Sequence, residues 1–163
     1  MFMEFSRRRS PSTAVLASAE RIAFTSTSVR SFTLVVGAMP VLAYHWPKVS
    51  PPGIEIEDLL ATKVAGLKDS TGDTARMLET LAVFKRPFYS GNATVIAYAG
   101  QLGVTGAILS VANLEPERCI DAFAGDIGAQ KDLIGAHRVA ANYGVKGIKE
   151  ELARRYGTST VCR

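Results

Sequence analysis

From Pro40 onward, short apolar runs alternate with stretches of helical periodicity, and this alternation constrains the fold more than any other feature of the chain. Pro40 to Tyr44, Val64 to Lys68, Pro87 to Ser90 and Gly106 to Val111 are each apolar, brief and bounded by turn residues, as buried strands are. Between them, Ile54 to Thr62 predicts a short helix with Ile56, Leu59 and Leu60 on its apolar face. Ala93 to Leu102 predicts another. Ser70 stands three residues before Asp73, a variant of the capping-box spacing, and predicts a helix running to about Phe84. Pro47 to Gly53 holds three prolines and a glycine and reads as a loop. Strand–helix alternation implies right-handed βαβ units and a parallel sheet. A doubly wound sheet and an eightfold barrel both fit it, and periodicity does not choose between them.

Glu115 to about Ile134 and Ile148 to about Tyr156 complete the helical stretches. Three regions are expected. Residues 1–31 form a poorly ordered or atypical N-terminal segment, 32–135 the partial α/β unit, and 136–163 a C-terminal helical remnant. The first is rich in Ser, Thr and Arg and lacks Lys. Organelle transit peptides share that composition; a frayed terminus or a mis-assigned start is the plainer account. Ala14 to Ala17 and Ser28 to Val35 fit a degraded strand and helix.

Charge and cysteine usage exclude several classes. The formal net charge of +4 is a mild excess, and Arg7, Arg8 and Arg9 are its only tight cluster. No basic stripe interleaves with aromatics, so no nucleic-acid partner is expected. Cys119 and Cys162 have no Cys or His at ligand spacing, so neither a disulfide framework nor a metal site is expected, and a reduced, cytoplasmic setting is. Gly37 and Pro40 interrupt the longest apolar run, which is too short to span a bilayer.

Two strand ends carry candidate chemistry. Lys68 closes the run Val-Ala-Gly-Leu, where desolvation should lower its pKa from about 10.4 towards 7–8. A neutral amine there could attack a ketone and form an iminium, an electron sink for an adjacent carbon–carbon bond. The plainer account is a lysine reaching out to pair with Asp69. Tyr44 closes the preceding run, and neighbouring parallel strands bring their C-terminal ends side by side. A phenol beside the amine could shuttle protons; otherwise its hydroxyl merely meets a backbone carbonyl. His45 reads as structural, and His137 has no ligand spacing.

Pro40-Val-Leu-Ala-Tyr-His-Trp-Pro47, followed by Gly66-Leu-Lys-Asp-Ser-Thr-Gly-Asp73, resembles the dihydrodipicolinate synthase/N-acetylneuraminate lyase family of Schiff-base aldolases, in its C-terminal half only. Tyr89-Ser-Gly-Asn92 is similar to the family's Ser-Gly turn, and Gly106 to Asn113, with Pro116 beyond it, to its eighth strand. The resemblance implies an incomplete (β/α)8 barrel, about strands 5–8 with their helices plus a truncated helical region. It implies Lys68 as the Schiff-base lysine, Tyr44 as proton shuttle, and backbone contacts from Gly91 and Ile108 to a pyruvate-like keto acid. It requires no metal or organic cofactor and implies a homo-oligomer without a membrane partner. The family's Gly-x-Thr-Thr-Gly-Glu loop and a tyrosine preceding Tyr44 are not found in the sequence. Val49 stands where the synthase branch has an arginine, with Lys48 beside it as a substitute charge, which turns the expectation towards an aldolase of a sugar-derived or hydroxy-oxo acid. A non-catalytic fragment acting as an oligomerising or partner-binding module is the alternative, and a phosphate-binding module using Ser90-Gly91-Asn92 a third.

Overall fold

The computed structural model describes residues 3–6 and 40–161. Five strands form one sheet: β1 (Met3–Ser6), β2 (Leu42–His45), β3 (Gly66–Asp69), β4 (Phe88–Ser90) and β5 (Gly106–Leu109), in spatial order β1-β5-β4-β3-β2. Strands β2 to β5 are mutually parallel, as the alternation requires, and form the α/β half of a barrel. β1 pairs antiparallel with β5, Met3 opposite Leu109 and Ser6 opposite Gly106. Nothing in the sequence signals this edge strand, because four residues beside an arginine cluster carry too little pattern to read. The expected strand and helix at 14–17 and 28–35 lie outside the described residues.

The helices are α1 (Ile56–Ala61), α2 (Thr74–Val83), α3 (Ile96–Gln101), α4 (Pro116–Ala124), α5 (Ile127–Asp132) and α6 (Ile134–Tyr156). They cover one face of the sheet. Side chains alternate across a strand, so Ala43 and His45, Leu67 and Asp69, Phe88 and Ser90, and Ala107 and Leu109 all point under the helices and are buried. The opposite face holds Leu42, Tyr44, Lys68, Tyr89 and Ile108, all exposed or half-buried. In a closed barrel that face would point inward. Arg86 fixes the entry to β3 by donating to the carbonyls of Leu59, Thr62 and Val64 at 3.0, 2.8 and 2.8 Å, which joins the end of α1 to the strand.

Several expected details differ. Asp73, not Ser70, caps α2, its carboxylate accepting from Arg76 N at 3.0 Å. Ser70 is drawn instead towards Tyr44, and the turn before the helix is held by Asp69 Oδ1, which accepts from Thr71 N and Oγ1 at 2.8 and 2.6 Å. Leu60 is exposed, so α1 buries Leu59 rather than both leucines. The helix expected over 115–134 breaks at Gly125, whose φ of +111° ends α4 in the left-handed region that glycine tolerates. α6 begins at Ile134, well before Ile148, and Gly144 kinks it. Among the described residues no helix is long and apolar enough to cross a membrane.

Candidate active site

The register decides what meets at the strand ends. Tyr44 pairs with Lys68 and His45 with Asp69 across β2 and β3, and Lys68 pairs with Tyr89 across β3 and β4. Strand alternation then sends Tyr44, Lys68 and Tyr89 to the open face and His45 and Asp69 to the helix side. The Lys68 Nζ lies 4.4 Å from the centroid of the Tyr44 ring. The ring's face favours the ammonium, but burial favours the amine and is the larger effect, pulling Lys68 from the usual 10.5 down to about 8. At pH 7 about a tenth of such a lysine is neutral, a few hundred times more than of an ordinary one.

The structure brings together the two residues singled out as reacting groups. Tyr44 is 39% exposed, and its hydroxyl accepts a hydrogen bond from Ser70 Oγ at 3.4 Å. Gly91 stands directly beside the lysine. A Cβ there would lie 3.0 Å from Lys68 Cε and overlap Ser70 Oγ, so only glycine lets the turn after β4 approach this closely. Its amide is fixed by donating to Asp69 O at 2.6 Å. Ile108 sits half-buried on the open face of β5, two residues along the strand from Gly106, the β5 member of the Tyr44–Lys68–Tyr89–Gly106 row. The Asp69 carboxylate lies behind the sheet, where it meets Arg76.

Three residues carry no site assignment from the sequence. Tyr89 reads there as a strand residue leading into a turn, although period-two alternation from Phe88 already places it on the face of Lys68. Ser70 reads as a helix cap. Arg76, on the third residue of α2, gives no signal, because its partner lies across the layer. His45 is structural, as expected: it is buried, and its Nδ1 accepts from Ile54 N at 3.0 Å. Among the described residues no cluster of His, Cys, Asp or Glu could hold a metal ion.

No family model matches the chain. Over 86 residues, 48% of its length, it is 30% identical to 4-hydroxy-tetrahydrodipicolinate synthase of Ehrlichia canis (strain Jake), of which the match covers 29%. A protein from Thermus thermophilus assigned as a dihydrodipicolinate synthase superposes with a TM-score of 0.71 at 28% identity, covering 80% of this chain and 51% of that one. Dihydrodipicolinate synthase from Acinetobacter baumannii, solved with pyruvate, superposes with a TM-score of 0.66 at 22% identity, covering 85% and 54%. The chain therefore spans about a third of the curated relative and about half of each solved structure. In sequence and in fold, its likeness is to part of the dihydrodipicolinate synthase family.

Proposed function

We propose that this chain carries the Schiff-base portion of a class I aldolase or lyase that makes or breaks a carbon–carbon bond in a pyruvate-containing keto acid. The observation that carries the reading is Lys68, half-buried with its amine lowered to about 8 and its Nζ over the Tyr44 ring. In this reading the neutral Lys68 amine attacks the keto carbon, forming a C–N bond while the carbonyl oxygen takes a proton. Loss of water from the carbinolamine gives the iminium, which accepts the electron pair of the adjacent carbon–carbon bond as that bond breaks. Tyr44 relays the protons to and from the departing oxygen, with Ser70 orienting its hydroxyl. The backbone around Gly91 and Ile108 lines the keto acid. Val49 favours a sugar-derived or hydroxy-oxo acid over dihydrodipicolinate synthesis as the bond partner.

Borohydride reduction in the presence of pyruvate tests this. A pyruvate adduct on the Lys68 peptide, lost in Lys68→Ala, is the expected result. A folded chain that yields no adduct overturns the reading for this chain.

The second reading, a non-catalytic module that associates through its sheet, is favoured by one observation. Leu42 and Tyr44 stay 41% and 39% exposed on an open sheet face, and such faces and edges favour association. Concentration-dependent oligomerisation without any adduct is its signature.

A further inference from the structure

Behind the Lys68–Tyr44 pair, on the helix side of the same two strands, lies a second cluster that the proposed reaction does not use. His45 and Asp69 are each 5% exposed and occupy adjacent register positions. Arg76 reaches over them from α2. Its Nε lies 3.4 Å from Asp69 Oδ2, an ion pair without hydrogen-bond geometry, and its Nη2 donates to Ile54 O. Ile54 N in turn donates to His45 Nδ1. Gly53, at a φ of +96°, closes the loop on the imidazole: a Cβ there would sit 2.8 Å from His45 Cε1. The result is a ring, His45–Ile54–Arg76–Asp69, that closes through the β2–β3 pairing itself.

We propose that Arg76 is a positioning residue for the Lys68–Tyr44 pair: from behind the sheet it neutralises Asp69 and ties the loop after β2 to the turn after β3. This rests on reading Lys68 as the reacting amine. The physical case has two parts. Strands of four residues have few ladder bonds of their own, so the ends bearing Tyr44 and Lys68 hold their register only if the segments beyond them are anchored. Arg76 anchors one through Ile54 O. It reaches the other through Asp69, whose second oxygen already holds Thr71.

The second part is electrostatic. A buried carboxylate one residue from Lys68 would favour its ammonium if left unpaired. With Arg76 opposite, burial is the effect that lowers the amine. Burial first, and then the Arg76 charge, also keep His45 low, which suits Nδ1 as the acceptor it is here. The ionisable groups at neighbouring positions on the Lys68 face are Tyr44 on β2 and Tyr89 on β4. Glu55 and Asp73 add their charges at His45.

Competitive acetylation with acetic anhydride, read at the Lys68 peptide as a function of pH, tests this without any keto acid. The wild-type midpoint is expected near 8. Arg76→Gln should raise it by about one pH unit, about a tenfold loss of neutral amine at pH 7. Asp69→Asn, which leaves the Arg76 cation unpaired, should lower it, and Asp69→Asn/Arg76→Gln should return it close to wild type. Arg76→Lys, keeping the charge, should hold the midpoint. Midpoints that stay fixed in folded single variants, or that move in the same direction, overturn the proposal. Should Arg76→Gln fail to fold, the difference between Asp69→Asn and the double variant isolates the Arg76 charge, and no difference overturns it equally. A wild-type chain that gives no pyruvate adduct defeats the proposed reaction, while the acetylation profile still decides the role of Arg76.

Discussion

Replacing Lys68 by methionine is expected to stabilise the fold at neutral pH, and the gain should disappear in alkali. Methionine keeps the length and the packing of the aliphatic stem without the charge. In the folded chain burial pulls the amine from 10.5 down to about 8, whereas in the unfolded chain it stays near about 10.4. For a base with a depressed folded pKa, the unfolded state holds more protons between those two values. Stability therefore rises with pH through the window from about 8 to 10.5, and below it the fold bears the whole desolvation penalty. At about 1.4 kcal/mol per pH unit the upper bound is about 3 kcal/mol. Partial exposure and screening reduce this to about 1–2 kcal/mol. For a chain of this size that corresponds to a rise in Tm of about 3–6 °C at pH 7. Urea and thermal unfolding of both proteins at pH 7, 8.5, 9.5 and 10.5 measure the difference, in which every other titrating group cancels. A difference that is flat with pH, or a wild type that is the more stable at pH 7, would refute the claim that Lys68 is a desolvated amine.

Gly91→Ala should leave the fold intact but slow borohydride trapping at Lys68 by about tenfold, because the new Cβ crowds Lys68 Cε and Ser70 Oγ; trapping at the wild-type rate would contradict the close approach. Glu151, held down to about 2 by Arg154 and then Arg155, contributes stability that is present above the unfolded value of 4.5 and lost as pH falls towards 2. The Tm advantage of wild type over Glu151→Gln should accordingly shrink across that acid range, and an advantage that persists at pH 2 would count against the link. Cys119 is buried, with burial and then Glu115 pushing its thiol up to about 12, so iodoacetamide at pH 8 should modify it only after unfolding; peptide mass spectrometry before and after denaturant checks this.

The parallel sheet is legible in the sequence because each of β2 to β5 is an apolar run whose alternate residues are buried beneath helices, a signal that survives in a single sequence. The Tyr44–Lys68 pairing is legible for the same reason, since both residues end such runs and parallel strands align their ends. Boundaries differ by one or two residues because hydrogen-bond pairing, not hydropathy, ends a strand. Ser70 misleads because the spacing to Asp73 fits a cap whether or not the hydroxyl is free to serve, and here it turns to Tyr44. The start of α6 is hidden by Gly135, Gly144 and Gly147, residues of low helix propensity that tertiary contacts override. Arg76 cannot be read at all, because a bond between a helix and the strand behind it leaves no period in the sequence.

The same division sets how the proposed chemistry would be shared along a longer barrel. Among the described residues, the groups proposed to activate Lys68 lie between residues 40 and 110: the strand neighbours, the Gly91 turn and the ion pair behind the sheet. Amine activation is thus a local property of this half. Holding a keto acid by its carboxylate is a different task, and among the described residues Leu42, Tyr44 and Ile108 offer it apolar and phenolic surface on the open face but no cation. Orientation of a bound reactant is worth up to about 7–11 kcal/mol of barrier lowering. That is far more than the upper bound of about 3 kcal/mol held in the desolvated lysine. Imine formation with pyruvate should therefore persist in this chain with weak saturation. Carbon–carbon cleavage, which needs the substrate held along one bond, should respond most to adding the polypeptide that would face this sheet.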